Sequence, residues 1–205
     1  MSFIDRLKIV AGITKNHNTN TSEENHLEVS KEDPVDVVFA KKLIRNNGIF
    51  FYCDKKDNLI KTMQALNKKL KTNTIYCTEH RLQNLLEKSN IEYNDENYTA
   101  CDAIVSSCEY LIAHHGKIML SSKQLGSNAI KNLPKEHIVV AYTSQIVKNL
   151  NDAMSGINTR YIDNLPSTIT TITSSREHNQ NNILKGNIKN ISVLLIEDFQ
   201  DQKLI

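Results

Sequence analysis

Two polar stretches of the sequence carry the residue types that could do chemistry. The first is CEYLIAHHGKIMLSS at 108–122, in which His114, His115, Gly116 and Lys117 separate two apolar runs. An imidazole, whose ordinary pKa is near 6.5, could act there as an acid, a base or a hydrogen-bond donor. Gly116 permits a positive φ or a close approach of the backbone to a ligand. The alternative is a solvated turn whose histidines have no function.

Side chains alternate along a strand, so at most one of His114 and His115 can enter a single site. Glu109 and Asp102 are candidate acids in the same region, and we find no second carboxylate at a spacing that would place it beside either one. A metal site would need a histidine of this region to converge with His178 and an acid across the sheet, which the sequence neither shows nor excludes, so we predict no metal ligand.

The second polar stretch, TSSREHNQNN at 173–182, follows a Thr- and Ile-rich stretch that is typical of a strand. The carboxyl ends of strands are where open α/β sheets bind ligands. Arg176 has a planar fork for phosphate or carboxylate, and Ser174 and Ser175 offer hydroxyl and backbone donors. His178 adds a titratable ring. An ordinary Asn-rich loop is the alternative interpretation.

The segment LKGNIKN at 184–190 becomes part of a site only if it lies beside this loop. The sequence contains no glycine-rich dinucleotide motif, Walker loop or nucleophile elbow. The predicted catalytic residues are therefore His114, His115, Glu109 and His178. The predicted ligand-binding residues are Gly116, Lys117, Ser174, Ser175, Arg176, Lys185 and Gly186.

The elements that must position these residues follow from the apolar pattern. The runs GIFFYC, NTIYC, HIVVAY and ISVLLIED predict buried strands, and helices are predicted at 35–44, 56–70 and after Glu79. Three apolar bursts between 101 and 120 predict consecutive strands with a hairpin. Ser144 is predicted to cap a helix that presents Ile146, Val147, Leu150 and Met154. The order indicates one α/β domain with a mixed sheet.

Composition limits the function. With 205 residues, 40% of them hydrophobic, the chain can build one sizeable core, preceded at 1–34 by a short helix and a polar linker. The formal charge is +2 and the basic residues are scattered, so we expect no nucleic-acid binding. We find no apolar run of about 20 residues and no signal peptide, which predicts a soluble cytoplasmic protein. The four cysteines form no C-x-x-C pair, so no zinc or cluster site is predicted.

Two segments resemble the LUD domain of lactate-utilization proteins, of the LutC type. In CDAIVSSCEYLIAHHGKIMLSS, the residues Ile112, Ala113 and Gly116 match the family's first motif. The segment LPKEHIVVAYTSQIV is the more specific one, and it matches at Leu133, Pro134, His137, Ile138 and Val140. The resemblance covers roughly residues 35–198.

The resemblance implies a Rossmann-like α/β fold similar to that of ribose-5-phosphate isomerase and the CoA-transferases. It implies an accessory or regulatory role in cytoplasmic oxidation of L-lactate beside iron–sulfur partner subunits, since this chain has no cluster ligands of its own. A stand-alone enzyme for a small phosphorylated, CoA-linked or carboxylate ligand is the alternative.

The chain also departs from the family's loops. His114 and His115 stand where the family has Glu-Thr, Lys117 where it has Ser or Thr, and only Ser175 is placed on the later motif serine. Because several ligand loops differ together, an interaction module without a pocket is a third possibility.

Overall fold

The computed structural model describes residues 27–174 and 187–197. The helix predicted over 2–13 and most of the predicted linker lie outside these ranges. No described helix is both long enough and apolar enough to cross a membrane.

Three helices of the described chain are followed by a residue with a left-handed backbone. Asn47 (φ 66°) follows the first helix, Lys71 (φ 55°) the second and Asn90 (φ 54°) the third, and asparagine tolerates this conformation better than most residues. The helices are α1 (Val35–Arg45), α2 (Lys56–Leu70), α3 (His80–Lys88), α4 (Ser122–Leu125) and α5 (Leu150–Arg160). The helices predicted at 35–44 and 56–70 are confirmed.

A six-stranded parallel sheet forms the centre of the domain, in the order β1-β10-β7-β4-β2-β3. Its strands are continuous apolar runs because helices or a second sheet cover both faces. They are β1 (Ile49–Cys53), β2 (Ile75–Tyr76), β3 (Tyr93–Asn94), β4 (Ala103–Ser106), β7 (Glu136–Tyr142) and β10 (Asn190–Ile196).

The antiparallel pairing that the sequence predicts within this sheet belongs to a separate four-stranded sheet, of order β8-β5-β6-β9. After β4 the chain turns through residues 107–109, so the next apolar run cannot extend the first sheet. The strands are β5 (Tyr110–Ile112), β6 (Lys117–Ser121), β8 (Ile146–Val147) and β9 (Ile169–Ile172), with the predicted hairpin between β5 and β6. The prediction of one α/β domain is confirmed, and its sheet is split in two.

The two sheets pack face to face with α1 beside them. Val139 and Val193 of the first sheet share a core with Leu111 and Ile118 of the second. The other face of the first sheet packs on α2 and α3, and α5 covers the outer face of the second sheet through Ala153 and Ile157. The layers are therefore helix, sheet, sheet, helix.

The helix predicted to start at Ser144 is wrong in its first part. Thr143–Gln145 is a single 3-10 turn, and Ile146–Val147 pairs with β5 instead. These two β-branched residues favour a strand. The helix α5 begins after Asn149, whose Oδ1 accepts a hydrogen bond from the Asp152 N–H at 3.0 Å. As a result Leu150 and Met154 are exposed, and Ala153 and Ile157 are buried.

Chain direction gives the molecule two distinct ends. The carboxyl end lies beyond the last residues of the parallel strands, where β4 turns into β5. The strand β5 then runs back toward the amino end of the parallel strands. The position of Asn46, just before β1, shows this direction, since its Nδ2 donates to the carbonyl of His115 at 3.1 Å. The turn between β5 and β6 is therefore at the amino end of the parallel strands.

Candidate functional site

A cavity of about 250 Å³ opens at the carboxyl end, between β2, β4 and β7. From β2 the chain continues into α3 on one face of the sheet, whereas from β4 it continues into the second sheet on the other face. Such a point, where neighbouring strands lead to opposite faces, is where open α/β sheets bind ligands. The polar side chains lining it are those of Glu79, Arg81, Ser107, Glu109, Gln124, Tyr142, Gln145, Arg160 and Tyr161.

Glu109 is the fixed anion of the cavity wall. Its side chain is fully buried, and it accepts hydrogen bonds from the Ser121 hydroxyl at 2.6 Å and the Gln124 amide at 3.0 Å. Arg160 forms an ion pair with it at 3.0 Å, and the Tyr161 hydroxyl lies 3.2 Å from both oxygens. A buried charge needs this many donors to offset its lost hydration. Glu109 therefore joins the starts of β5 and α4 to the end of α5.

Local structure orients the Gln124 amide toward Glu109. Ser121 caps α4, and the Gln124 side-chain oxygen accepts a hydrogen bond from the Ser121 N–H at 2.8 Å. This reciprocal capping box fixes the amide oxygen on the backbone. The amide nitrogen of Gln124 must then point to Glu109 as a donor.

Arg160 is held between two aromatic rings. Its guanidinium carbon lies 5.0 Å from the centroid of the Tyr110 ring and 6.0 Å from that of Tyr161, within the range of cation–π contacts. One nitrogen donates to the Tyr110 hydroxyl at 3.2 Å. The side chain is still 43% exposed, so its remaining N–H groups are open to a ligand. Burial and the charge of Glu109 raise the pKa of Tyr161, which keeps that hydroxyl protonated.

Glu79 is a second carboxylate in the cavity wall. It accepts hydrogen bonds from the Ser107 N–H at 2.7 Å and from the Ser107 hydroxyl at 2.5 Å. Burial raises the pKa of Glu79 in spite of these two hydrogen bonds, and the charge of Glu109 raises it further. The spacing of acids along the sequence did not identify this second carboxylate beside Glu109. The signal was available, since Glu79 and Glu109 each follow a strand, and those strands, β2 and β4, are neighbours.

Arg81 is the second cation at the cavity. It is exposed, and it forms no ion pair with an acid in residues 27–174 or 187–197. The site thus combines two carboxylates with two guanidinium groups, of which Arg160 is paired and Arg81 is available to a ligand. Such groups suit a carboxylate or phosphate.

The other residues predicted around 114–117 lie at the amino end, away from the cavity lining. His114 and His115 are exposed on the 3-10 turn Ala113–His115, and Lys117 opens β6. Gly116 has φ +60° and lies against α1, where an added Cβ would be 2.7 Å from the backbone nitrogen of Leu43. Its local role is therefore close packing on a helix. Of the predicted catalytic residues, Glu109 alone among those described lines the cavity.

Ser174 is buried just beyond β9. Because β6 and β9 are antiparallel, with Ile118 opposite Ile172, Ser174 is at the same end of the second sheet as Gly116. Ser175, Arg176, His178, Lys185 and Gly186 lie outside the described residues. A site shared by these loops stays a prediction, and its described parts lie at the amino end.

Comparison with known proteins gives a family for this architecture. A family model of the LUD domain matches residues 37–196. The chain belongs to the LUD domain family. Its fold is similar to that of a DUF162 family protein from Deinococcus radiodurans, whose crystal structure aligns with TM-score 0.59 and 13% identity over 80% of this chain and 96% of that chain. No curated protein matches the sequence significantly.

In this LUD domain, His137 lies on β7 in the interior, away from the cavity lining. The imidazole is fully buried, with Nε2 2.8 Å from the Ser106 hydroxyl. That hydroxyl donates to the Ser107 carbonyl at 2.9 Å, so it accepts from a protonated Nε2. Burial lowers the pKa of His137 to about 3, with a smaller effect from the charge of Lys189. The ring is therefore neutral, and its Nδ1 is unpaired within the described residues.

Metal ligands do not cluster within the described part of this LUD domain, which contains no group of three or more His, Cys, Asp or Glu side chains placed to hold an ion. Cys53, Cys77 and Cys108 are buried free thiols, and burial raises their pKa values, to about 11 for Cys53 and about 12 for Cys77. Such thiols pack as small apolar groups.

Proposed function

We propose that this LUD domain binds a small monocarboxylate in the cavity at the carboxyl end of the first sheet. The observation that carries the proposal is the available guanidinium of Arg81 in the same cavity wall as the ion pair of Arg160 with the buried Glu109. A volume of about 250 Å³ lies below the range of about 300–1,000 Å³ typical of drug-sized ligands, so it suits a small metabolite.

The charge balance of the cavity favours one negative charge on the ligand. Glu109 and Arg160 neutralise each other at 3.0 Å. Arg81 is then a cavity cation without an ion pair to any acid of the described residues, and a single carboxylate would neutralise it. A phosphate monoester carries up to two negative charges and would leave one uncompensated.

Binding of defined ligands tests this function. We expect titration calorimetry to detect L-lactate, pyruvate or a related monocarboxylate, with weaker binding of sugar phosphates and of the acyl-CoA class. The variant Arg81→Gln should lower the affinity about 10- to 100-fold, the value of one or two charge-assisted hydrogen bonds.

Arg45→Gln is the matched control, because Arg45 is an exposed arginine in the last turn of α1, outside the cavity. Equal loss in both variants, or preferential binding of sugar phosphates, would contradict the proposed ligand class. No binding of any of these ligand classes would favour an interaction module without a ligand.

The physiological setting that we propose is a cytoplasmic L-lactate oxidation system, in which this chain is an accessory or regulatory subunit. Membership of the LUD family and a cavity suited to a small hydroxy acid support it. Iron–sulfur partner subunits would supply the redox centre. Affinity purification from the native host should recover such subunits, and a deletion strain should grow poorly on L-lactate. Normal growth of that strain together with recovery of the bare chain would exclude the role.

A further inference from the structure

The two carboxylates of the cavity have different surroundings. Glu109 is fully buried and has hydrogen-bond donors from Ser121, Gln124, Arg160 and Tyr161. Its oxygens are occupied, so it can position neighbours but has little capacity to take a proton from a ligand. Glu79 is only partly buried, and Ser107 is its hydrogen-bond donor in the described chain. It can therefore offer an oxygen lone pair to the cavity.

Resting on the proposed function, we propose that Glu79 is a general base that removes a proton from the carbon next to the carbonyl of a bound 2-oxo acid. The protein would then catalyse enolisation. Three groups of the site are suited to three parts of such a ligand: Arg81 to the carboxylate, Arg160 to the carbonyl oxygen and Glu79 to the C–H bond. Glu109 would be a positioning residue, since it holds Arg160 and Tyr161 from behind.

The reaction needs no oxidant, reductant or second substrate. The C–H bond breaks and its proton moves to the Glu79 carboxylate. The electron pair forms the carbon–carbon double bond of the enolate, and the carbonyl π electrons move to the oxygen beside Arg160. The same steps in reverse return a proton to carbon. In D₂O, exchange on Glu79 replaces the proton by a deuteron, and the 2-oxo acid is regenerated with deuterium at that carbon.

The guanidinium of Arg160 suits the stabilising role because it is fixed before a ligand arrives. It lies between the rings of Tyr110 and Tyr161 and is tied to a buried carboxylate. A preorganised cation stabilises a developing oxyanion without reorganising in the reaction. The hydroxyl proton of Tyr161 is directed to Glu109, so Arg160 is the donor that remains for the enolate.

Deuterium exchange into pyruvate tests the inference. Proton NMR in D₂O should show loss of the methyl signal at a rate proportional to protein concentration and above the rate without protein. In Glu79→Gln the amide oxygen can still accept from the Ser107 N–H and the amide nitrogen can donate to the Ser107 hydroxyl oxygen. The variant should lower the exchange rate at least about 100-fold, the usual value of a general base. Glu79→Asp, with a shorter side chain, should keep part of the rate.

Glu92→Gln is the control, because Glu92 is exposed and lies just before β3, at the opposite end of the strand from the cavity. It should exchange like the wild type. Calorimetry with pyruvate separates the two hypotheses. Binding by the wild type without catalysed exchange, or equal exchange rates in the wild type and Glu79→Gln, overturns the enolisation and leaves the carboxylate-binding function. Absence of binding overturns both.

Discussion

Buried polar groups have different numbers of hydrogen-bond partners at the two ends of this domain. At the carboxyl end, every oxygen of Glu109 has a donor and the carboxylate is paired with a cation. At the amino end, His137 is as deeply buried, but it has one partner, Ser106, and keeps its Nδ1 unpaired in the described chain. Nearby Lys189 is buried too, and its ammonium donates to the carbonyls of Leu133 and Pro134.

The difference distinguishes a candidate ligand site, around Glu109, from structural contacts, around His137 and Lys189. A fully satisfied anion with cations and hydroxyls around a cavity is the arrangement expected of a preorganised ligand site. The neutral imidazole of His137 joins β7 to the last residue of β4, and the ammonium of Lys189 joins the start of β10 to the loop before β7. The ends should also respond oppositely to pH, because burial lowers the pKa of His137 and raises that of Glu79.

The largest expected effect is the acid response of His137. The unfolded ring binds a proton below pH 6.5, whereas the folded ring stays neutral down to about pH 3, so stability is lost as the pH falls through this window. Between pH 6.5 and 4 the loss from this residue is about 3 kcal/mol. His137→Leu should remove it, so urea unfolding should show a flatter acid limb.

At pH 7 the same variant should cost less than about 1.5 kcal/mol, since the Ser106 hydroxyl keeps the Ser107 carbonyl as its acceptor. An unchanged acid limb in His137→Leu would show that His137 is not the group that limits acid stability.

Two glycine-to-alanine variants test how tightly the amino and carboxyl ends of the domain are packed. At the amino end, Gly116→Ala should lower the free energy of unfolding by about 2–3 kcal/mol. Its φ of +60° is unfavourable for alanine, and the new Cβ would meet the backbone of α1 at 2.7 Å. At the carboxyl end, Gly156→Ala should cost about 1 kcal/mol. Its Cβ would lie 2.2 Å from the Tyr110 hydroxyl, a side-chain end that can shift, and alanine favours the helix.

Lys71→Gly is a useful control for the backbone term. Lys71 is exposed, and its φ of 55° and ψ of 39° are close to the 60° and 33° of Gly116, so this change measures the same backbone term with the opposite sign. Chemical denaturation should show that Gly116→Ala costs more free energy of unfolding than Lys71→Gly gains. If the cost and the gain are equal, contact with α1 contributes nothing and the amino end is less tightly packed than we infer.

The smallest effect is expected at Glu79. A carboxyl whose pKa is raised in the folded state contributes stability at acidic pH that is lost as the pH rises through its folded value. Glu79→Gln should therefore increase the free energy of unfolding at pH 8, by less than about 1 kcal/mol, and the gain should disappear near pH 4. Thermal unfolding at both pH values measures it. A gain that is equal at both would mean that the charge of Glu79 is not responsible.

The apolar pattern predicted most of the fold, because runs such as HIVVAY and ISVLLIED are long and buried on both faces. It did not predict two sheets, since a strand's partner depends on the turn at 107–109 and not on its own composition. The pattern also failed at Ile146–Val147, where pairing with β5 determines the structure of two residues that fit either a helix or a strand.

The site was harder to predict. Glu109 was identified as an acid, but Glu79, Arg81 and Arg160 were missed because they lie on separate elements and share no local motif. The neighbouring positions of β2 and β4, which bring two carboxylates together, are a property of strand order. His114 and His115 were predicted to be catalytic from their residue type alone, and that role stays a prediction.

Strand order also has a consequence for how this molecule is made. Phe50 of β1 pairs with Val193 of β10, and Val139 of β7 pairs with the same residue from the other side. A ribosome must therefore release almost the whole domain before the middle of its main sheet is filled. Until then two apolar strands have unpaired edges, which leaves the nascent chain open to aggregation.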